Sequence, residues 1–195
     1  MSEQFEQKRV WDLVTRLWHW LLVVSFSATW VLGEFMEFET VDWHFYLGYL
    51  VLALIGFRIV WGFIGPEPIR FRTLFRSSLE IGPYLKHVRK RQPSGVEGHN
   101  PVGSLSVILM VVCIGFHGVI GLFAESDDFF VSGPLADMVS GSLSSELTHL
   151  HHIMAKVLLL LVGLHIGAIL FYLIWKRENL INAMITGWKM VKRDR

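Results

Sequence analysis

Four apolar runs, each about as long as a bilayer is thick, constrain this chain more than any other feature. They cover residues 15–34, 43–64, 102–124 and 148–175, and a helix needs about 20 residues to cross roughly 30 Å of hydrocarbon. Of the 195 residues, 52% are hydrophobic and 18% charged, which leaves no room for a separate soluble catalytic domain. The expected fold is an all-α membrane protein, one domain over 1–195, with four spans in a transmembrane helix bundle. The uninterrupted apolar part of the first run starts at Leu17, after Lys8, Arg9 and Arg16, and no small-residue cleavage signal follows its end at Glu34. It is therefore expected to be a retained helix.

Net charge is only +1, which gives nucleic acid nothing to bind, but the charges are segregated. The connection 66–101 carries Arg70, Arg72, Arg76, Lys86, Arg89, Lys90 and Arg91, and six more basic residues follow from Lys176 onward. The other two connections hold Glu34, Glu37, Glu39 and Asp42, then Glu125, Asp127, Asp128, Asp137 and Glu146, without a single Lys or Arg. Basic residues near span ends resist export, so loop 66–101 and both termini are expected in the cytoplasm and the acidic connections outside. Trp18, Trp20, Trp43, Trp61 and Trp175 stand near span ends, where amphipathic rings prefer the headgroup zone. Within the basic connection, 73–91 is expected to form a surface helix, and "QPSGVEGHNP" has the composition of a loop.

An ionisable side chain inside a span is costly enough that function is its default reading, and this chain has nine histidines. His151 and His165 are 14 residues apart on the fourth span, about 40° short of four full turns and about 21 Å along the axis. They face one way at two depths. His44 begins the second span, and His19 lies 15 residues before Glu34, about 22 Å below the outer boundary. The depths match His44 with His151 near the outside and His19 with His165 toward the inside. Two facing imidazoles at one level can ligate a haem iron on both axial sides, so two pairs imply two haems. The only cysteine is Cys113 and no CxxCH stretch exists, so both are expected to be haem b. Iron with six ligands has no position open for a substrate, which favours one-electron transfer.

The neighbouring ionisable residues are weighed against plainer roles. His149 and His152 point about 160° and 140° away from His165, so His151 is taken as the outer ligand. His117 has no partner at its depth and reads as a hydrogen-bonding core residue, with haem or quinone contact as the alternative. His87 and His99, in the basic connection, are expected to be solvated. Arg58, 14 residues after His44, suits the propionates of the inner haem. Lys156 either serves the outer haem or snorkels to the headgroups. Arg16, one turn before His19, is either a propionate partner or an anchor at the cytoplasmic boundary. Glycines at 48, 56, 115, 118, 121, 163 and 167 let macrocycles or neighbouring backbones come close. A haem-free proton or metal transporter would use the same intramembrane histidines, and the visible spectrum separates it from a cytochrome.

The stretches "VWDLVTRLWHW", "HFYLGYLVLALIGFRIVWGFIG", "GHNPVGSL" and "HHIMAKVLLLLVGLHIGAIL" resemble the signature segments of bacterial dihaem b-type cytochromes. This family includes the b-type subunit of nickel–iron hydrogenases and the cytochrome b-561 proteins of the bacterial inner membrane. The resemblance covers nearly the whole chain and carries the histidine ligands onto His19, His44, His151 and His165. It implies electron relay between membrane quinone and a periplasmic redox partner, and "GLFAESDDFFVSGPLADMVS" is similar to members that work with c-type cytochromes. Nine outer carboxylates without a cation would attract a basic partner and speed its encounter. The resemblance also allows a hydrogenase or other periplasmic oxidoreductase as partner, or direct superoxide:quinone oxidoreductase activity, although an acidic rim repels that anion.

Overall fold

The computed structural model describes residues 4–126 and 131–193; Asp127 and Asp128 lie outside the described residues. In chain order the elements are β1 (Phe5–Arg9), α1 (Leu13–Glu34), α2 (Val41–Ile64), α3 (Phe71–Ser78), α4 (Ile81–Leu85), α5 (Pro101–Gly121), β2 (Glu125–Ser126), β3 (Val131–Ser132), α6 (Gly141–Ile174), α7 (Leu180–Thr186) and β4 (Trp188–Lys192). Helices α2, α5 and α6 are long and apolar enough to cross a membrane. Helix α1 has 22 residues, but its apolar character is diluted by Arg16, His19, Ser25, Ser27 and Thr29. Two of those hydroxyls bond back into their own helix, Ser25 Oγ to the Leu21 carbonyl and Thr29 Oγ1 to the Ser25 carbonyl, each at 2.7 Å. Such back-bonding satisfies a hydroxyl that has no water to turn to.

The chain is predominantly helical, with two small sheets that the all-α expectation leaves out. β1 pairs antiparallel with β4, Phe5 opposite Lys192 and Arg9 opposite Trp188, so both chain ends are held in one ribbon. The turn into β4 is made by Gly187, which caps α7 in the left-handed conformation at φ 88°, a position glycine takes without steric cost. Its carbonyl accepts from the amides of Val10 and Trp11. β2 and β3 form the second pair.

By internal packing the described chain divides into two units, one from residues 4–18, 59–109 and 161–193, the other from residues 19–58, 110–126 and 131–160. In the first, Val10, Trp11, Ile69, Ala183 and Val191 form a buried cluster against which Trp61 and Met184 pack. Beside it lies an ion pair, Lys189 Nζ to Glu178 Oε1 at 3.3 Å, with both side chains 4% exposed. Lys189 also donates to the carbonyls of Val96 and Gly98 at 2.9 Å, and Glu178 accepts from the amide and hydroxyl of Ser94. Burial pushes the Lys189 ammonium below the ordinary lysine range, and the Glu178 carboxylate pulls it part of the way back. Lys176 donates to the carbonyls of Lys90 and Gln92. Three charged residues after α6 thus fasten the loop that precedes α5.

That loop differs from its reading in sequence. The surface helix expected over 73–91 is two short helices, α3 and α4, with a break after Ser78. His99 is not solvated: its ring packs on Trp11 with centroids 4.7 Å apart, because the loop is drawn inward by Lys189. "HNP" has a helix-starting role. The Asn100 side chain accepts from the Gly103 amide at 2.9 Å, and Pro101, the first helical residue, has no N–H to leave unpaired.

Candidate haem centre

A cavity of about 270 Å³ lies in the unit built from residues 19–58 and 110–160, and its wall includes His44, His117, His151, His152, Gly48 and Gly121. The His44 and His151 ring centroids are 6.4 Å apart, with the ring planes 80° to each other. A metal–imidazole bond of about 2 Å on each side, plus about 1.2 Å from nitrogen to ring centre, would set the centroids of two imidazoles sharing one iron roughly 6.4 Å apart. The donor set also fits. Among the described residues no three or more His, Cys, Asp or Glu converge on a point, as a protein-only metal site requires. A porphyrin supplies four nitrogens itself, so a pair of imidazoles such as His44 and His151 would suffice to hold it, and it would supply one-electron redox chemistry.

The two histidines are held by one device used twice. His44 Nδ1–H donates to the Thr29 carbonyl at 3.0 Å, and His151 Nδ1–H donates to the His117 carbonyl at 3.1 Å. A carbonyl only accepts, so each bond places the proton on Nδ1 and leaves the Nε2 lone pair for a metal. Four residues beyond each carbonyl stands a glycine against the same imidazole. A Cβ at Gly33 would lie 2.9 Å from His44 Cε1, and one at Gly121 would lie 2.8 Å from His151 Cε1. One turn of α1, Thr29 to Gly33, thus grips His44, and one turn of α5, His117 to Gly121, grips His151. The glycines singled out in sequence separate by role. Gly115 and Gly118 admit Ile55 and Leu52 of α2, whereas Gly48, Gly56, Gly163 and Gly167 face open space.

His117 departs from its reading as an isolated core residue. It has a partner at its depth: its ring stacks on His151 with centroids 3.8 Å apart and planes 11° apart. Its hydrogen bond is made by its carbonyl, while its own Nδ1 is buried with no partner among the described residues. No periodicity argument could have found this contact, because it joins separate helices. The spacing of Gly33 and Gly121 from Thr29 and His117 was the available signal.

The remaining residues are placed as follows. His152 is exposed beside the cavity, with its ring 6.4 Å from that of His151. Lys156 is exposed. His19, whose ring lies nearly perpendicular to that of Trp20 with centroids 5.3 Å apart, and Arg58, which is 2% exposed, belong to the same unit as the cavity. His165 is half-buried on α6 in the other unit. Also in that unit, the Arg16 guanidinium donates to the Ile185 carbonyl, and its Nε lies 3.4 Å from the Asp12 carbonyl. This ties the start of α1 to α7. Of the seven outer carboxylates described, all but Glu125 are exposed.

Comparison with known proteins agrees with this chemistry. The family model for prokaryotic cytochrome b561 matches residues 10–187. A probable Ni/Fe-hydrogenase B-type cytochrome subunit of Azotobacter chroococcum is 30% identical, covering 95% of this chain and 90% of its own length. The Azotobacter vinelandii protein of the same description is also 30% identical over the same shares. A probable Ni/Fe-hydrogenase 1 B-type cytochrome subunit of Escherichia coli K12 is 24% identical, covering 98% and 94%. The Azotobacter alignments run over 219 positions, more than the 195 residues of this chain, so those relatives carry insertions that it lacks. No solved structure matches. Two imidazoles 6.4 Å apart, each with Nδ1–H on a carbonyl, and a family match along nearly the whole chain lead to one assignment: the chain belongs to the prokaryotic cytochrome b561 family of membrane b-type cytochromes.

Proposed function

We propose that this cytochrome carries single electrons across the inner membrane through two bis-histidine b haems, linking the quinone pool to a periplasmic redox protein. The observation that carries the reading is the 6.4 Å separation of His44 and His151, each with Nδ1–H on a carbonyl. His44 and His151 hold the outer haem; His19 and His165, about 21 Å deeper by helical rise, hold the inner one, with Arg58 as its propionate partner. When bound, the haems supply one-electron redox chemistry without an open iron position. The protein fixes the ligand tautomers through the Thr29 and His117 carbonyls.

Helix α1 is the fourth span in this reading. The pairing of β1 with β4 in one ribbon supports this, since an even number of crossings would put both strands on one side of the membrane. The basic connection and the basic tail make that side cytoplasmic. The unit that carries the cavity contains only two Lys or Arg residues, Arg58, which is buried at the inner end of α2, and Lys156, so the outer face offered to a partner is acidic. A lysine-rich c-type cytochrome suits that face. The relatives' descriptions favour a second reading, in which the electron donor is a nickel–iron hydrogenase. The connection between α1 and α2 is six residues, 35–40, a small platform for a large permanent partner, and so the first reading is preferred.

The test uses proteoliposomes containing the haem-loaded protein and a reduced quinone, with an oxidised basic c-type cytochrome outside. The expected result is external cytochrome reduction that depends on quinol and slows steeply as salt rises. Rates independent of salt, or reduction obtained only when a hydrogenase is added with hydrogen, would replace the c-type partner.

A further inference from the structure

The two grips on the outer histidines are alike in carbonyl and glycine and unlike in one residue. On α1 the carbonyl belongs to Thr29, whose side chain bonds back to Ser25. On α5 it belongs to His117, whose side chain lies flat on the histidine that its carbonyl holds, 3.8 Å between centroids and 11° between planes. A hydrogen bond through Nδ1 fixes which nitrogen faces the iron, yet the ring can still turn about the axis of that bond. A parallel ring stacked on its face removes this freedom. Gly121 supports it from one turn further along, where even a methyl group would strike Cε1. The His117 Nδ1 has no hydrogen-bond partner among the described residues, and the contact its ring makes with the ligand is its flat face on His151.

The held orientation has a consequence for the iron. His151 is kept with its plane 80° from that of His44. The relative orientation of two axial imidazole planes sets the splitting of the iron d orbitals. Near-perpendicular planes leave two of those orbitals nearly degenerate and give a strongly anisotropic low-spin ferric signal; near-parallel planes give a rhombic one.

We propose that His117 is a positioning residue for the outer haem, whose stacked ring holds the His151 plane nearly perpendicular to that of His44 and thereby sets the haem's ferric signature and reduction potential. This rests on the reading that His44 and His151 are the axial ligands. The test compares the full-length, haem-loaded protein with its H117A and H117F variants by electron paramagnetic resonance, potentiometric titration and haem count. The wild type is expected to show a strongly anisotropic outer-haem signal. H117F, which keeps a flat ring, should retain it. H117A should move the signal toward the rhombic form and shift the outer potential, with the inner haem unchanged.

An H117A protein with two haems and an unaltered outer signal and potential would overturn the proposal. If H117A sheds the outer haem, H117F decides: restored loading and signal support the stacking role, and loss in both variants overturns it. Failure of the underlying reading looks different, since H151A would then keep both haems whatever residue 117 is.

Discussion

Replacing Gly121 by alanine tests the grip on His151 with a single methyl group. The new Cβ would sit 2.8 Å from His151 Cε1 and 3.1 Å from Nδ1, whereas carbon atoms rest about 3.5 Å apart at closest comfortable contact. The ring must therefore retreat by about 0.7 Å. Its Nδ1 bond to the His117 carbonyl, at 3.1 Å, would stretch to roughly 3.8 Å on such a retreat, outside hydrogen-bond range. The displacement also exceeds the ~0.5 Å tolerance of a ligand constellation. Loss of a bond that orients a metal-binding histidine typically costs 10- to 100-fold in affinity, about 1.4–2.8 kcal/mol. Haem titration of detergent-solubilised protein, read in the Soret band, should show one of two sites weakened by that factor in G121A. Wild-type affinity at both sites with an unchanged potential would refute the reasoning, because the collision leaves His151 no way to stay in place.

Three further outcomes follow from the same geometry. Gly48 faces the cavity with nothing within 4 Å of an added Cβ, so G48A should leave the haem-free chain at least as stable, a helical Gly→Ala exchange being worth up to about 1 kcal/mol, while lowering outer-haem loading; equal loading would mean the space there is not the haem's. H151A should lose one haem and H152A none, and H165A should lose the other haem, all read by pyridine haemochrome counts; loss in H152A would exchange the outer ligand. E178Q leaves the Lys189 ammonium buried without its carboxylate and should cost about 3–5 kcal/mol, seen as a lowered unfolding temperature and faster proteolysis in 86–100; a change under about 0.5 kcal/mol would make the pair an ordinary surface contact.

Three of the four apolar runs were legible as candidate spans because periodicity is not needed to see them: lipid demands continuous apolar length, and α2, at Val41–Ile64, and α5, at Pro101–Gly121, fall within a few residues of the runs read in sequence. α6 begins seven residues before its apolar run, in "GSLSSEL", since Ser144 is buried with its hydroxyl on the Phe123 carbonyl and Thr148 exchanges hydrogen bonds with the backbone of Glu125. Those polar residues find loop backbone rather than water, a partnership that composition hides. The terminal ribbon was illegible for a related reason. In β4 the buried positions are Lys189 and Val191, so the inward face carries a cation whose partner Glu178 lies on another segment. His99 and Arg16 were misread or left open because their partners, Trp11 and the Ile185 carbonyl, are distant in sequence. His44 and His151 could be matched by depth alone, but the carbonyls that orient them, and the ring of His117 behind one, belong to neighbouring helices that no single-chain spacing relates.

The central claim is that pairs of imidazoles from different helices each grip one iron porphyrin, and counting is its most direct test. Purified, haem-replete protein should give two haem b per polypeptide by pyridine haemochrome, both low-spin in the ferric state with two nitrogen axial ligands by magnetic circular dichroism. One haem or none per chain, or an iron with a single imidazole and an open sixth position, would contradict it.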